Sequence, residues 1–291
     1  MNRRHIVIAL SVIAFAAALP LAHAAQPLKL TVYNPGAKGI FPVTSTIISG
    51  EREAVLIDAQ FQRNDAQALV EQLRASGKTL TTVYISHSDP DYYFGLDVIQ
   101  AAFPSATIVA TAQTVEHIKS SMDGKLAYWA PILKDNAPKK LVLPEVVKGD
   151  KLVLEGKTIE IRGPNPERTY VWIPSLKTVT GGIVVSSGIH VWVADTQTVA
   201  SRKDWQTTLN SIAALKPTAV VPGHYLGKVP KGLGAVTFTG RYLQAFDIEV
   251  AKAKDSVELV AAMKRRYPNA GEPGSLDLSA KVIKGEMKWP Q

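Results

Sequence analysis

The sequence predicts an α/β protein built on two sheets with helices over them. Three observations carry this. Strand-like and helix-like runs alternate from Glu53 to Met122, a meander of short strand-like runs fills 141–193, and a helix, a short strand and further helices follow. Such alternation argues a mixed sheet covered by helices, and the meander argues a second sheet.

In order, Leu28–Tyr33 alternates as a strand does, and Asn34-Pro35-Gly36 is a turn. Phe41–Ile48 and Glu53–Ile57 read as a hairpin around Gly50-Glu51. Ala66, Leu69, Val70 and Leu73 recur at helical spacing, with Gly77 as the stop. Thr82–Ile85 is a buried strand. A short helix covers Gly95–Ala102, a strand Ala106–Ala110, and a helix Thr114–Met122. The meander comprises Leu141–Leu143, Lys151–Leu154, Thr158–Arg162, Thr169–Ile173, Thr178–Val185 and His190–Val193. Ser201-Arg202-Lys203-Asp204 matches a capping-box pattern ahead of Trp205, Leu209 and Ile212. Thr218–Val221 is a short strand, helices cover Gly240–Ala253 and Val257–Arg266, and the rest reads as a turn-rich tail.

The chain has 291 residues, 46% hydrophobic and 20% charged, enough for a sizeable core. Residues 1–24 stand apart. A basic start (Arg3, Arg4), an apolar run Ile6–Leu21 and Ala22-His23-Ala24 together read as a cleavable signal peptide. Residues 25–291 then form a single domain with C-terminal helices and a tail. The expected location is periplasmic or secreted, with no stable membrane span after cleavage. With no cysteine, the chain needs no oxidative folding and has no thiolate for catalysis or metal binding. The net charge of +8 serves solubility or favours an anionic small molecule, and no basic run interleaved with aromatics points to nucleic acid. The sequence leaves the oligomeric state open.

The chemistry concentrates in Ser86-His87-Ser88-Asp89-Pro90-Asp91-Tyr92-Tyr93-Phe94-Gly95. A strand delivers a histidine and two carboxylates to its C-terminal end, where α/β sheets keep their sites. Pro90 stops the ladder, and Gly95 permits a close backbone approach. His87, Asp89 and Asp91 are of metal-ligating type; equally, Asp89 or Asp91 caps the following helix and His87 is a core histidine. Asp58, ending the Glu53–Ile57 strand, reads as an acceptor orienting a neighbouring ligand or as an Asx turn.

These residues, with Leu56-Ile57-Asp58, Thr180-Gly181-Gly182 and Pro222-Gly223-His224, resemble the metallo-β-lactamase superfamily over roughly residues 28–227. The nearest likeness is to its exported, hydrolase-like branch. The resemblance implies a four-layer αββα sandwich and zinc chemistry. In the family motif His-x-His-x-Asp-His, His87 and Asp91 match, while Asp89 and Tyr92 stand where histidines are usual. A further family histidine falls in Gly163-Pro164-Asn165-Pro166, the metal-bridging aspartate aligns with Gly182, and the last histidine is kept as His224.

Without the bridging carboxylate a dinuclear centre is not expected. The resemblance implies at most one ion on His87, Asp89, Asp91 and His224: zinc, with manganese or iron suited to an oxygen-rich set. His190 is a candidate replacement ligand or an ordinary strand histidine. Asp91 is the expected proton acceptor, Tyr92 or a nearby Lys/Arg steadies the oxyanion, and Asp58 braces His87. The expected reaction is metal-dependent hydrolysis of an ester, lactone, amide or phosphodiester. The alternatives are a non-catalytic binding protein that has lost its metals, and an enzyme that uses the pocket without metal.

Overall fold

The structure, a computed structural model, describes residues 26–289, so the signal segment expected at 1–24 lies outside the described residues. The first sheet runs in chain order: Lys29–Tyr33 (β1), Ser45–Ser49 (β2), Glu53–Ile57 (β3), Thr79–Ile85 (β4), Thr107–Ala110 (β5) and Glu145–Val146 (β6). Its first three strands are antiparallel and the rest join in parallel. Three helices serve this half: Arg63–Ala75 (α1), the four-residue turn Pro90–Tyr93 (α2) and Leu96–Ala102 (α3). A fourth, Ala112–Leu133 (α4), follows β5.

The second half supplies Lys151–Leu154 (β7), Lys157–Arg162 (β8), Tyr170–Ile173 (β9), Thr178–Thr180 (β10), Ser186–Ser187 (β11), Ala219–Val220 (β12) and His224–Tyr225 (β13). The second sheet has the order β12-β10-β9-β8-β7, and β11 pairs with β13 in a small parallel ladder. Val199–Ala214 (α5), Gly234–Lys252 (α6), Ser256–Arg266 (α7) and Pro273–Ile283 (α8) complete the described helices.

Strand periodicity explains the layering. Ile47, Leu56, Val83, Ile85 and Ile108 point out toward Leu69, Leu73, Ile99 and Ile118 on the helices. Their neighbours Ile48, Val55, Ile57, Tyr84 and Val109 point the other way, onto Leu154, Ile159, Val171 and Ile173 of the second sheet. The far face of that sheet, with Tyr170, Trp172 and Val179, packs on Trp205, Leu209, Phe246 and Leu259. Helix, sheet, sheet and helix are therefore stacked, the expected αββα sandwich.

Several local expectations need correction. The helix expected at Thr114–Met122 runs to Leu133, past Gly124 and Pro131. Both disfavour helix, but Val115, Ile118, Met122, Leu126 and Trp129 recur at helical spacing and pack on the core, which overrides propensity. The strand expected at Thr178–Val185 stops at Thr180 because Gly181 and Gly182 have φ of 83° and 78°. His190–Val193 is not a strand; only Ile189 bridges, to Gly271. Leu141–Leu143 is not a strand either, and β6 lies just beyond it. The capping box belongs to Thr198, one turn earlier, with Ser201 as its third helical residue. The tail expected to be turn-rich contains a further helix, α8. Among the described residues no helix is long and apolar enough to cross a membrane.

Candidate active site

Two segments meet at the top of the sheets. From the first half, β4 ends at Ile85, and buried Ser86 leads into His87–Asp89 and then α2, where Pro90 occupies the first helical turn. Gly95 behaves as its sequence context requires. A Cβ there would sit 2.1 Å from the Ala59 carbonyl oxygen, and its N–H donates to the Gln60 carbonyl at 2.9 Å. From the second half, β13 carries His224 against Ser186 and Val43. Gly223 lets it approach: a Cβ at that residue would lie 2.0 Å from the Gly182 carbonyl oxygen.

The convergence brings His224 and Asp91 into direct contact, with Nε2 2.6 Å from Oδ2. On the other side of the imidazole, the Tyr92 hydroxyl lies 3.0 Å from Nδ1. Tyr92 is fully buried, and burial first, then the nearby carboxylates, pushes its phenol well above the usual value. The phenol therefore keeps its proton and donates to Nδ1, leaving Nε2–H to donate to Asp91. This network assigns the tautomer. The result is a continuous relay, Tyr92 to His224 to Asp91.

His87 belongs to a second pair. Its Nδ1 is 3.3 Å from Asp89 Oδ2, and Lys125 Nζ is 3.3 Å from Asp89 Oδ1 and 3.0 Å from the Ser88 carbonyl. Burial alone would raise the Asp89 carboxyl, but the charges of His87 and Lys125 outweigh it and hold Asp89 far below the usual range. Asp89 stands at the N-cap position of α2, yet its side chain makes no cap bond. Between the two pairs stands Tyr92, whose ring centroid is 5.8 Å from that of His87 and 5.6 Å from that of His224.

Two expected roles are corrected. Asp58 does not brace His87. It accepts from the Ser86 N–H at 2.8 Å and from the Ser86 hydroxyl at 2.8 and 2.7 Å. Burial raises its carboxyl to about 7 against those lowering bonds. His190 does reach the cavity that Asp91 and His224 line, but its Nδ1 is 3.0 Å from the Tyr242 hydroxyl. Burial keeps the Tyr242 phenol protonated and is also the main cause that lowers the His190 pKa.

These side chains do not fit the expected cation. Among the described residues, no three His, Cys, Asp or Glu side chains converge as a metal site. Both ring nitrogens of His224 are engaged, and Tyr92 fills the space between the imidazoles. Gly182 could not be the bridging aspartate in this backbone. Its φ is 78°, and a Cβ there would lie 2.6 Å from the Thr169 carbonyl oxygen.

Sequence reasoning missed Lys125 and Arg168. Lys125 was hidden because its helix was expected to end earlier. Arg168 is buried with its Cζ 4.5 Å from the Trp205 ring, donates to Thr196 Oγ1 at 2.6 Å, and leaves Nη1 without a partner. No local pattern marks it, because its neighbours come from other segments. Asp89, Asp91, Lys125 and His224 line a cavity of about 450 Å³. Its remaining wall is mixed and carries a group of aromatic residues, including Phe41, Tyr128, Trp129, Trp192 and Trp289. A volume of this size and an apolar wall with a few convergent polar groups suit a small molecule.

Known proteins agree with this fold. The crystal structure of DIM-1 metallo-beta-lactamase superposes with a TM-score of 0.52 at 17% identity, covering 76% of this chain and 99% of that one. A metallo-beta-lactamase from Pontibacter korlensis gives 0.52 and 17%, covering 77% and 97%. At such identity the likeness concerns the fold alone. No curated protein matches the chain. The sequence profile of the metallo-beta-lactamase superfamily matches residues 39–224, from the turn before β2 to the histidine of the relay, and the chain belongs to that superfamily.

Proposed function

We propose that this chain hydrolyses a small molecule in the 450 Å³ cavity, with Asp91 as general base and without a metal in the step. The single observation that carries this reading is the Tyr92–His224–Asp91 relay. His224 Nε2–H pins one carboxylate oxygen, and the other is left for a water. Asp91 takes that water's proton as the oxygen attacks a carbonyl carbon, and returns it to the leaving group as the C–O or C–N bond breaks. Lys125, fixed by Asp89 and the Ser88 carbonyl, has a third N–H to offer the developing oxyanion. Esters, lactones and amides fit this chemistry best, and a phosphodiester is a further candidate. Tyr92 serves as a positioning residue here, because its hydroxyl is spent on His224.

A single zinc, manganese or iron ion on His87, Asp89, Asp91 and His224 is the competing arrangement. It would have to break at least one of the two bonds to His224 and move His87 past Tyr92. A second reading, a binding protein that has lost catalysis, draws on the same plug of Tyr92 between the imidazoles. We further propose export to the periplasm or medium, on the leader-like pattern of residues 1–24.

The test is a screen of ester, lactone and amide substrates on untagged protein, with and without chelator, beside metal analysis. Turnover that survives chelation and is lost in Asp91→Asn supports the proposal. Stoichiometric metal that disappears in His224→Ala, together with chelator-sensitive turnover, overturns it in favour of the metal site. Saturable binding without any turnover favours the binding protein.

A further inference from the structure

The aromatic wall has an order of its own. Phe41 contacts Trp129 (ring centroids 5.4 Å apart), Trp129 contacts Tyr128 (4.9 Å), Tyr128 contacts Trp289 (5.6 Å), Trp289 contacts Trp192 (5.3 Å), and Trp192 returns to Phe41 (6.5 Å). The five rings close a circuit, and successive planes meet at 71–85°. All five line the cavity. A flat, regular five-sided circuit with these edges would hold each ring centre roughly 5 Å from its middle, inside the ≈6 Å reach of a cation–π contact.

Charge points the same way. The chain carries +8 overall, yet the cavity is lined by Asp89, Asp91, Asp195 and Glu272 against the single ammonium of Lys125. Asp89 is answered by the charges of Lys125 and His87, and Asp91 has the Nε2–H of the neutral His224 ring. Among the described residues, the donors to Asp195 are neutral, the indole N–H groups of Trp192 at 2.5 Å and Trp289 at 2.9 Å. It therefore holds two members of the circuit in place and, among the described residues, has no cation in contact with its own charge. Behind the cavity wall, buried Arg168 stacks over the Trp205 ring at 4.5 Å, but Arg168 itself does not line the cavity.

We infer that the ring formed by Phe41, Trp129, Tyr128, Trp289 and Trp192, with Asp195 on it, is a recognition site for a small organic cation of the quaternary-ammonium type. This names the charge class of the ligand under the proposed function, and rests on that reading only in taking the cavity as the ligand site. It reverses the expectation of an anionic ligand drawn from net charge. A methylated ammonium has no hydrogen bonds to lose on leaving water, so π faces and one unpaired carboxylate are enough to hold it. A carboxylate or phosphate ligand would meet four carboxylates instead.

The test is a tryptophan-fluorescence titration of the full chain with choline, its neutral isostere 3,3-dimethyl-1-butanol, and acetate. The expected result is saturable choline binding, about tenfold or more tighter than the isostere, with no response to acetate. Trp289→Leu, at the end of the chain, and Asp195→Asn should each weaken choline by about tenfold, with thermal melts confirming that both variants fold. Equal affinity for the isostere, a preference for acetate, no saturable choline response, or unchanged affinity in folded Trp289→Leu would each overturn the inference. The readout needs no turnover, so its failure leaves the hydrolytic reading standing, and failure of hydrolysis leaves this one.

Discussion

The relay and the aromatic circuit share one cavity but are built in opposite ways. The relay joins two short segments, Asp91-Tyr92 and His224, each fixed at the end of a strand by a glycine that lets backbones touch. The circuit draws single residues from Phe41, one face of α4, Trp192 and the tail after α8, and is closed by edge-to-face contacts and one carboxylate. The first is rigid and chemically specific; the second is assembled from the periphery and selects by shape and charge. A fold can thus exchange its reaction and its ligand class at different places in one site.

The sharpest way to break this division is Asp91→Asn. An amide cannot accept the proton, so hydrolysis should fall by about a hundredfold or more. The fluorescence response to choline should remain. If both vanish together while the variant stays folded, relay and circuit are not separable.

Tyr92→Phe probes the relay from behind. It leaves His224 Nδ1 facing a buried ring edge with no donor. The expected cost is about 1–3 kcal/mol in urea unfolding, with choline affinity unchanged. A variant as stable as the parent would mean that the hydroxyl contributes little to the relay.

What was legible in the sequence follows the same line. The sandwich was readable because alternate strand residues divide so cleanly, Ile47 to one core and Ile48 to the other. His87, Asp89, Asp91, Tyr92 and His224 were readable as a group because His87, Asp91 and His224 keep the family's residues and Asp89 and Tyr92 stand at its histidine positions. What those residues do was less readable. Asp58 was expected to serve His87, but the nearest donors to its carboxylate are the N–H and hydroxyl of Ser86, a residue with no chemical signature. The circuit was invisible for a physical reason. Its members are 41, 128, 129, 192 and 289, and only Tyr128 and Trp129 are neighbours in sequence. Even these sat beyond the expected helix end, where Gly124 and Pro131 mask a continuing helical face that also carries Lys125.

The smallest expected effect concerns pH and sharpens the comparison from the circuit's side. Burial, and then the charge of Asp89, raises the Asp195 carboxyl to about 6 against the two indole hydrogen bonds and Lys125. The buried guanidinium of Arg168 also acts on it. Above that pH Asp195 is ionised and attracts a cation; below it the charge is neutralised and only the π faces remain. Choline affinity should therefore be greatest near neutrality and fall severalfold as the pH drops through about 6. Glu272, raised by burial, lines the same cavity and would push in the same direction, so the profile alone does not identify the group. Asp195→Asn separates them. If Asp195 carries the effect, the variant should bind choline weakly at every pH with a flat profile, whereas a persistent slope would transfer the role to Glu272 and leave the circuit with a different counter-charge.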